Sequence, residues 1–332
     1  MKYLLSICIP TLGREKYIAE TLTSIVPQIN SNVEIVIVDG GPTDATQVIV
    51  KTYQERCSNI TYLKSEISSG TPSNEGFDRD CNYAVEQANG EYCWIMTDDD
   101  IVKEGAVKTV LTAINEGHSL IVASIEVLSK DLTEVLQVRR PEFSSDRVYQ
   151  STELNSLAID ICTHLTFVGA VIIKKSAWLE RDRSKYYGTG FIHVGVIFQK
   201  PFTSSTIVIS NPLVSVRFGN ALWTSRAFQI WMFSWPQLVW SFSSLEEKTK
   251  EMICPKEPWR SFTTLLRQRL FGRYVFADYK AFLEKKIETR SGRMLARTIS
   301  IFPRILLRVP AYLYAFFKFQ KNKAILADLN AG

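Results

Sequence analysis

A chain of 332 residues that is 46% hydrophobic and 22% charged has the composition of a folded protein. Its length suits one large domain or a domain with an appendage. The formal net charge of +5 is modest, so its distribution tells more than its size, and no nucleic-acid partner is expected. Six cysteines (Cys8, Cys57, Cys81, Cys93, Cys162, Cys254) lie far apart with no zinc-ligand or redox spacing. They read as small core residues of a reduced compartment. The apolar run after Met1 is too brief for a secretory segment, and no uncharged stretch reaches the length of about 18 residues that a spanning helix needs. A cytoplasmic location is expected.

Leu4 to Ile9 predicts a short buried strand stopped by Pro10, and an amphipathic helix follows the turn Thr11-Leu12-Gly13-Arg14 as far as about Val26. Glu34 to Val38 is the next strand and ends in Asp39-Gly40-Gly41-Pro42-Thr43-Asp44; a helix then runs from Ala45 to about Arg56. Ile60 to Lys64 is a third strand, Asp78 to Asn89 a helix, and Tyr92 to Met96 a fourth strand running into Thr97-Asp98-Asp99-Asp100. Strands alternating with helices in this way predict a parallel, doubly wound sheet with right-handed crossovers.

Three adjacent carboxylates at a strand end have two readings. They are solvated acids of an exposed loop, or a divalent-cation site at the C-terminal edge of the sheet, where open α/β folds bind ligands. Pro10-Thr11, Asp39 and Asp98 to Asp100 all fall just past strand ends, so their polar groups converge on one crevice. The first strand is followed by neither a Gly-x-x-x-x-Gly-Lys loop nor Gly-x-Gly-x-x-Gly, so a phosphate bound here needs a metal to neutralise it. That favours the cation site.

Ser6-Ile7-Cys8-Ile9-Pro10-Thr11 with Arg14, Glu34-Ile35-Val36-Ile37-Val38-Asp39-Gly40 with Thr43-Asp44, and Gly90-Glu91-Tyr92 leading to the acids together resemble the family 2 glycosyltransferases with the GT-A fold. The resemblance implies that Pro10, Thr11 and Arg14 lie near the base and ribose, and that Asp39 accepts a hydrogen bond from the pyrimidine. An Asp serves uracil N3–H and the cytosine amino group alike, so UDP and CDP both stay open. Asp44 reads as the N-cap of the next helix. At the family's spacing from Gly90, Thr97 stands where the first Asp of the Asp-x-Asp motif belongs, Asp98 at the variable position and Asp99 at the second Asp. This departure makes Asp99 the principal ligand of Mg²⁺ or Mn²⁺, Asp98 a ribose or metal contact and Asp100 an outer ligand. Asp80, on the helix before this strand, stands where the family has a polar nucleotide contact; an exposed helical face is the competing reading.

The alternation weakens after the strand expected over Leu120 to Val127. Phe167 to Ile173 predicts a buried strand, and Ser176 to Arg181 starts a helix. In Tyr186-Tyr187-Gly188-Thr189-Gly190-Phe191-Ile192-His193-Val194, Ile192-His193 stands where the family places a Glu-Asp pair whose Asp is the base of inverting members. The combination resembles a narrower group, the abequosyltransferase-like enzymes of O-antigen assembly, as do Pro212-Leu213-Val214 with Arg217 and Glu257-Pro258-Trp259. His193 is thereby a candidate general base or metal ligand, with inversion and retention both open. Arg217 is a candidate for the diphosphate or acceptor, with a surface salt bridge as the alternative; His164 reads as structural, with the acceptor side as its other reading, and His118 as a turn residue. The Trp-rich stretch from Thr224 reads as helical core, with Trp223 placed near a ligand.

The tail has Arg290, Arg293, Arg297, Arg304, Arg308, Lys318, Lys321 and Lys323 interleaved with Leu306, Leu307, Val309, Tyr312, Leu313, Tyr314, Phe316 and Phe317. This mixture predicts a helix lying in an anionic membrane surface, with each nearby cation worth about 1 kcal/mol, broken or kinked at Pro303 and Pro310.

Taken together, the expectation is an α/β GT-A fold with a doubly wound, mostly parallel sheet over residues 1–222 and a helical extension over residues 223–332. The expected activity is metal-dependent (Mn²⁺ or Mg²⁺) transfer of a sugar from a CDP- or UDP-linked donor to a lipid-linked O-antigen or other surface-polysaccharide acceptor. The resemblance points to a CDP-linked dideoxyhexose, on the inner face of the cytoplasmic membrane. Two alternatives are a sugar-phosphate nucleotidyltransferase, against which the missing Gly-rich N-terminal loop speaks, and a non-catalytic membrane-associated scaffold.

Overall fold

The computed structural model describes residues 3–66, 73–221, 223–318, 323 and 327, without the side chains of 312–318. The chain forms two compact units. The first comprises Met1–Val127, Val138–Arg217 and Phe242–Thr249; the second comprises Leu128–Gln137, Phe218–Ser241 and Lys250–Gly332. This division differs from a single cut at residue 222, because Leu128–Gln137 and Phe242–Thr249 each belong with residues remote in sequence.

The strands of the sheet are β1 (Tyr3–Thr11), β2 (Val33–Asp39), β3 (Ile60–Lys64), β4 (Gly90–Ile95), β5 (Ile101–Val102), β6 (Leu120–Leu128), β7 (Val135–Arg140), β8 (Arg147–Tyr149), β9 (Val171–Lys174) and β10 (Thr206–Arg217). The main path runs β3-β2-β1-β4-β9-β6-β10-β5. Its first four strands are parallel. They are joined by the crossover helices α1 (Glu15–Ile25), α2 (Ala45–Gln54) and α3 (Asn74–Gln87). β2 is buried at every position and β1 at all but Leu4, as strands covered on both faces must be. The chain winds outward from β1 to β3 and then returns to the other side of β1 as β4. The topological switch point, where such sheets open a crevice at their carboxyl ends, therefore lies between β1 and β4.

Beyond β4 the sheet is mixed, because β9 runs antiparallel to both β4 and β6, and β10 antiparallel to β5 and β8. The parallel part is thus the part whose strand–helix alternation is regular in sequence. Residues 168–170, expected in a strand, make a tight helical turn instead, and β9 starts at Val171.

One buried polar network ties the starts of three strands. Ser6 Oγ donates to Glu34 Oε1 at 2.6 Å and accepts the Gly90 N–H at 2.8 Å. A Cβ on Gly90 would lie 2.5 Å from Ser6 Oγ and 2.7 Å from its nitrogen, so only glycine lets β4 start this close to β1.

The rest of the unit includes α4 (Ala106–Asn115), α5 (Leu154–Ile161), α6 (Lys175–Leu179) and α7 (Ile192–Phe198). α7 is held by two buried ionisable side chains. Asp78, on α3, accepts the Gly190 and Ile192 N–H groups at 2.8 and 3.0 Å at its N-terminal end. Arg181, just after α6, donates Nη1 to the Val196, Ile197 and Lys200 carbonyls at 2.6, 3.1 and 2.9 Å at its C-terminal end. The Arg181 charge faces the helix end of opposite partial charge, and the Asp78 carboxyl takes up free N–H groups at the other. The loop between them turns on Gly188 and Gly190, whose φ values of +87° and +75° suit glycine.

The second unit is helical, as expected, around a core that includes Phe228, Met232, Trp259, Leu265, Tyr274, Tyr279 and Leu283. Phe228 stacks on Tyr274 with centroids 4.6 Å apart, so these aromatics serve as core. Trp223 is 39% exposed and meets Trp231 edge-on. The helices Arg290–Ile301 and Arg304–Lys318 break at Pro303, as predicted, whereas Pro310 is carried inside the second. Of the tail residues expected on the membrane, Lys321 and the side chains of Tyr312, Leu313, Tyr314, Phe316, Phe317 and Lys318 lie outside the described residues.

Candidate active site

The site forms where the parallel strands end. Thr11, the last residue of β1, lies opposite Asp39, the last of β2, and accepts the Gly40 N–H on its carbonyl at 2.9 Å. Its hydroxyl donates to Asp98 Oδ2 at 2.7 Å. One residue therefore joins the two acidic strand ends, as the crevice expected from the sequence requires. Pro10 is buried within β1 opposite Val38 and contributes shape rather than a polar group.

Arg14, at the start of α1, reaches back over the acids. Its Nε lies 3.4 Å from Asp98 Oδ1 and its Nη2 2.5 Å from Asp99 Oδ2. Arg217, at the end of β10, gives its backbone N–H to Asp100 Oδ1 at 3.2 Å and pairs with Glu20 through Nη2. Both guanidinium groups sit over the Tyr17 ring, at 5.0 and 5.2 Å from its centroid. Asp100 also accepts from Thr97 Oγ1 at 2.5 Å, and its carbonyl accepts from Thr21 Oγ1 at 2.9 Å.

Burial decides the electrostatics. Asp98, Asp99 and Asp100 are 5%, 9% and 4% exposed. Burial pushes Asp98 up to about 6 even though the Arg14 charge pulls the other way. Burial, reinforced by the neighbouring Asp99, pushes Asp100 up to about 7. These carboxylates are not solvated loop acids. They are a hard-oxygen donor set that costs free energy to keep ionised and so favours a cation.

That chemistry fits Mg²⁺ or Mn²⁺. Among the described residues no three His, Cys, Asp or Glu side chains form a ready-made metal cage. Mg²⁺ bound together with a diphosphate needs only one or two protein carboxylates, the remaining oxygens coming from phosphate and water.

At the other side of Thr11, Asp39 is fully enclosed. It accepts from the Gly41 N–H at 2.7 Å, Tyr62 Oη at 2.7 Å and Lys64 Nζ at 3.3 Å. Asp80 accepts from Ser65 Oγ at 2.5 Å, and the Ser65 N–H donates to the Asp39 carbonyl at 2.8 Å, so Asp80 is drawn to the same edge. Being 3% exposed, it is not on an open helical face. Asp44 stands at the N-cap of α2 without a side-chain capping bond.

His193 is fully buried in α7, its Nε2 2.7 Å from the Leu165 carbonyl, and burial lowers it to about 4. Its Nδ1 is buried with no hydrogen-bond partner among the described residues. His164 is structural, with Nε2 2.9 Å from the Ala123 carbonyl. Sequence reasoning missed Tyr17, Glu20, Tyr62 and Lys64. Tyr17 and Glu20 are three apart on α1, the spacing that places them on one helical face beside the site.

Residues 6–178 match the family described as Glycosyl transferase family 2. The chain is 26% identical over 284 residues to the abequosyltransferase RfbV of Salmonella typhimurium, covering 79% of this chain and 83% of that protein. Among solved structures, it is similar to Staphylococcus aureus TarS 1-349 in complex with UDP, with a TM-score of 0.55 and 18% identity, over 99% of this chain and 90% of that one. It is also similar to the mannosyltransferase PcManGT of Pyrobaculum calidifontis in complex with GDP-Man and Mn²⁺, with a TM-score of 0.52 and 13% identity, over 100% of this chain and 86% of that one. These matches displace the nucleotidyltransferase and scaffold readings. With the acids gathered at the β1–β4 switch point of a GT-A sheet, the chain belongs to glycosyl transferase family 2 and is a glycosyltransferase.

Proposed function

We propose that this enzyme transfers a sugar from a nucleoside diphosphate donor, CDP- or UDP-linked, to a lipid-linked O-antigen or similar surface-polysaccharide acceptor, using Mg²⁺ or Mn²⁺. The observation that carries this reading is Thr11, which lies opposite Asp39 through its backbone and bonds Asp98 through its hydroxyl. A nucleotide laid along that line has its base end at Asp39 and its diphosphate end at the acids. Asp99 and Asp100 would hold the ion, and Asp98 would meet the ribose or the ion. The ion neutralises charge on the departing diphosphate.

Arg14 and Arg217 bring positive charge to the same crevice. Arg14 is the counter-ion of Asp98 and Asp99 in this structure, and a guanidinium suits a diphosphate oxygen equally well. The likeness to RfbV favours a CDP-linked dideoxyhexose donor, since abequose is the sugar that enzyme's name specifies.

The membrane-facing part of the proposal rests on the helices Arg290–Ile301 and Arg304–Lys318. Met294, Leu295, Ile301, Ile305, Leu306 and Val309 are exposed at 69%, 43%, 58%, 63%, 60% and 54%. Arg290 and Arg297, both exposed, lie among them. Apolar side chains left in solvent beside arginines suit the headgroup region of an anionic bilayer. Among the described residues no helix is long and apolar enough to cross a membrane.

The test is a panel of UDP-, CDP-, GDP- and dTDP-sugars with and without Mn²⁺, read by thermal shift and by hydrolysis of the donor. A metal-dependent shift with a pyrimidine nucleotide, and donor hydrolysis lost in Asp99→Ala, is the expected result. Binding without any metal requirement would remove the ion from the proposal, and no binding of any donor would overturn it.

A further inference from the structure

We infer that the nucleobase is met by the ammonium of Lys64, which is aimed by the buried Asp39 with the half-buried Tyr62 beside it; this rests on the donor-binding reading above. The strand register makes the arrangement. β2 and β3 pair in parallel with Ile37 opposite Tyr62 and Asp39 opposite Lys64. Side chains two apart on a strand share a face, so Tyr62 and Lys64 lie on one side of β3, and both reach Asp39 Oδ2, at 2.7 and 3.3 Å.

Asp39 can offer a base at most one further acceptor position. It is fully enclosed and already accepts three hydrogen bonds, of about four that a carboxylate can take. Gly41 packs close against it, since a Cβ there would lie 2.9 Å from Asp39 Oδ1. Lys64 is the accessible partner of the pair, with a side chain 39% exposed. It gives one N–H to Asp39 and another to the Thr43 carbonyl at 2.8 Å. An ammonium has three, and among the described residues these two bonds leave one. A donor at this edge selects an acceptor on the base: a uracil carbonyl, or the carbonyl or N3 of cytosine.

The experiment is calorimetric titration of the intact protein with UDP, CDP and inorganic pyrophosphate, each with Mn²⁺, for wild type, Lys64→Met and Lys64→Gln. Base recognition predicts that Lys64→Met weakens UDP and CDP at least tenfold and changes pyrophosphate less than twofold. Lys64→Gln, which keeps a donor, should recover a substantial part of the loss. Circular dichroism and melting temperature identify a variant that fails to fold, and Lys64→Ala then takes the place of Lys64→Met. Unchanged nucleotide affinity overturns the inference, and so does an equal loss for nucleotide and pyrophosphate, which would make Lys64 a phosphate contact. A wild type that binds none of the three ligands defeats the donor-binding reading instead.

Discussion

The hydroxyl of Thr11 donates to Oδ2 of Asp98 across 2.7 Å, joining the end of β1 to the acids after β4. Thr11→Val keeps the shape and removes the donor. Losing a hydrogen bond to a buried carboxylate costs about 1–3 kcal/mol. The expected outcome is a lower melting temperature and weaker donor binding by about tenfold, both measured on the purified variant.

Asp99 is the acid proposed to hold the ion. In Asp99→Ala the loss of charge stabilisation should be worth several kcal/mol, so donor hydrolysis should fall about 100-fold or more at saturating Mn²⁺. Turnover within a few-fold of wild type would show that the ion, if used, is held elsewhere.

Asp78 gives a pH signature. Burial raises its carboxyl to about 7, against the backbone N–H groups of Gly190 and Ile192 that favour ionisation. A raised folded value means that the native state keeps its proton longer than the unfolded chain. The stability this group contributes is therefore full below about pH 4 and is lost as pH rises toward about 7. Asp78→Asn lacks that loss. The melting temperature of the variant relative to wild type should increase between these values and level off above them. A difference independent of pH would count against the buried ionisation.

Gly90 admits no side chain without moving Ser6, whose Oγ bonds both Glu34 and the Gly90 nitrogen. Overpacking of this kind costs about 1–3 kcal/mol. Gly90→Ala should lower the denaturation midpoint accordingly and leave the m-value unchanged, because the compactness of the native state is retained.

The arginine-flanked apolar side chains of the second unit can be tested by flotation with vesicles of anionic and of neutral lipid. Replacing Met294, Ile305 and Leu306 together by Ser should lower binding to anionic vesicles by at least about tenfold, since burying each apolar side chain contributes about 1.5–3 kcal/mol. Equal binding of variant and wild type would remove these residues from the interface.

The first four strands were legible because each signal is local: an apolar run, a stop, a turn. Ile60 to Lys64 emerges with its expected bounds. The antiparallel return of β9 was not, since a run such as Val171–Lys174 carries no mark of direction. Within the site, the acids and Arg14 could be named from their places at strand ends, but not the bond from Arg14 to Asp99, which spans 85 residues. The burial of His193 was hidden for the same reason: its partner is a backbone carbonyl 28 residues away, and a carbonyl is invisible in a residue pattern. Lys64 follows from register, which a sequence shows only after the partner strand and its offset are known.

Asp78 and Arg181 at the ends of α7 act as axial stops. A shift toward either end draws the helix away from one side chain and crowds its backbone against the other, so sliding along its own axis is opposed in both directions. Lys in place of Arg181 could not span the Ala177, Val196, Ile197 and Lys200 carbonyls that the guanidinium now gathers. The turn through Gly188 and Gly190 therefore runs into a helix that serves as a fixed abutment.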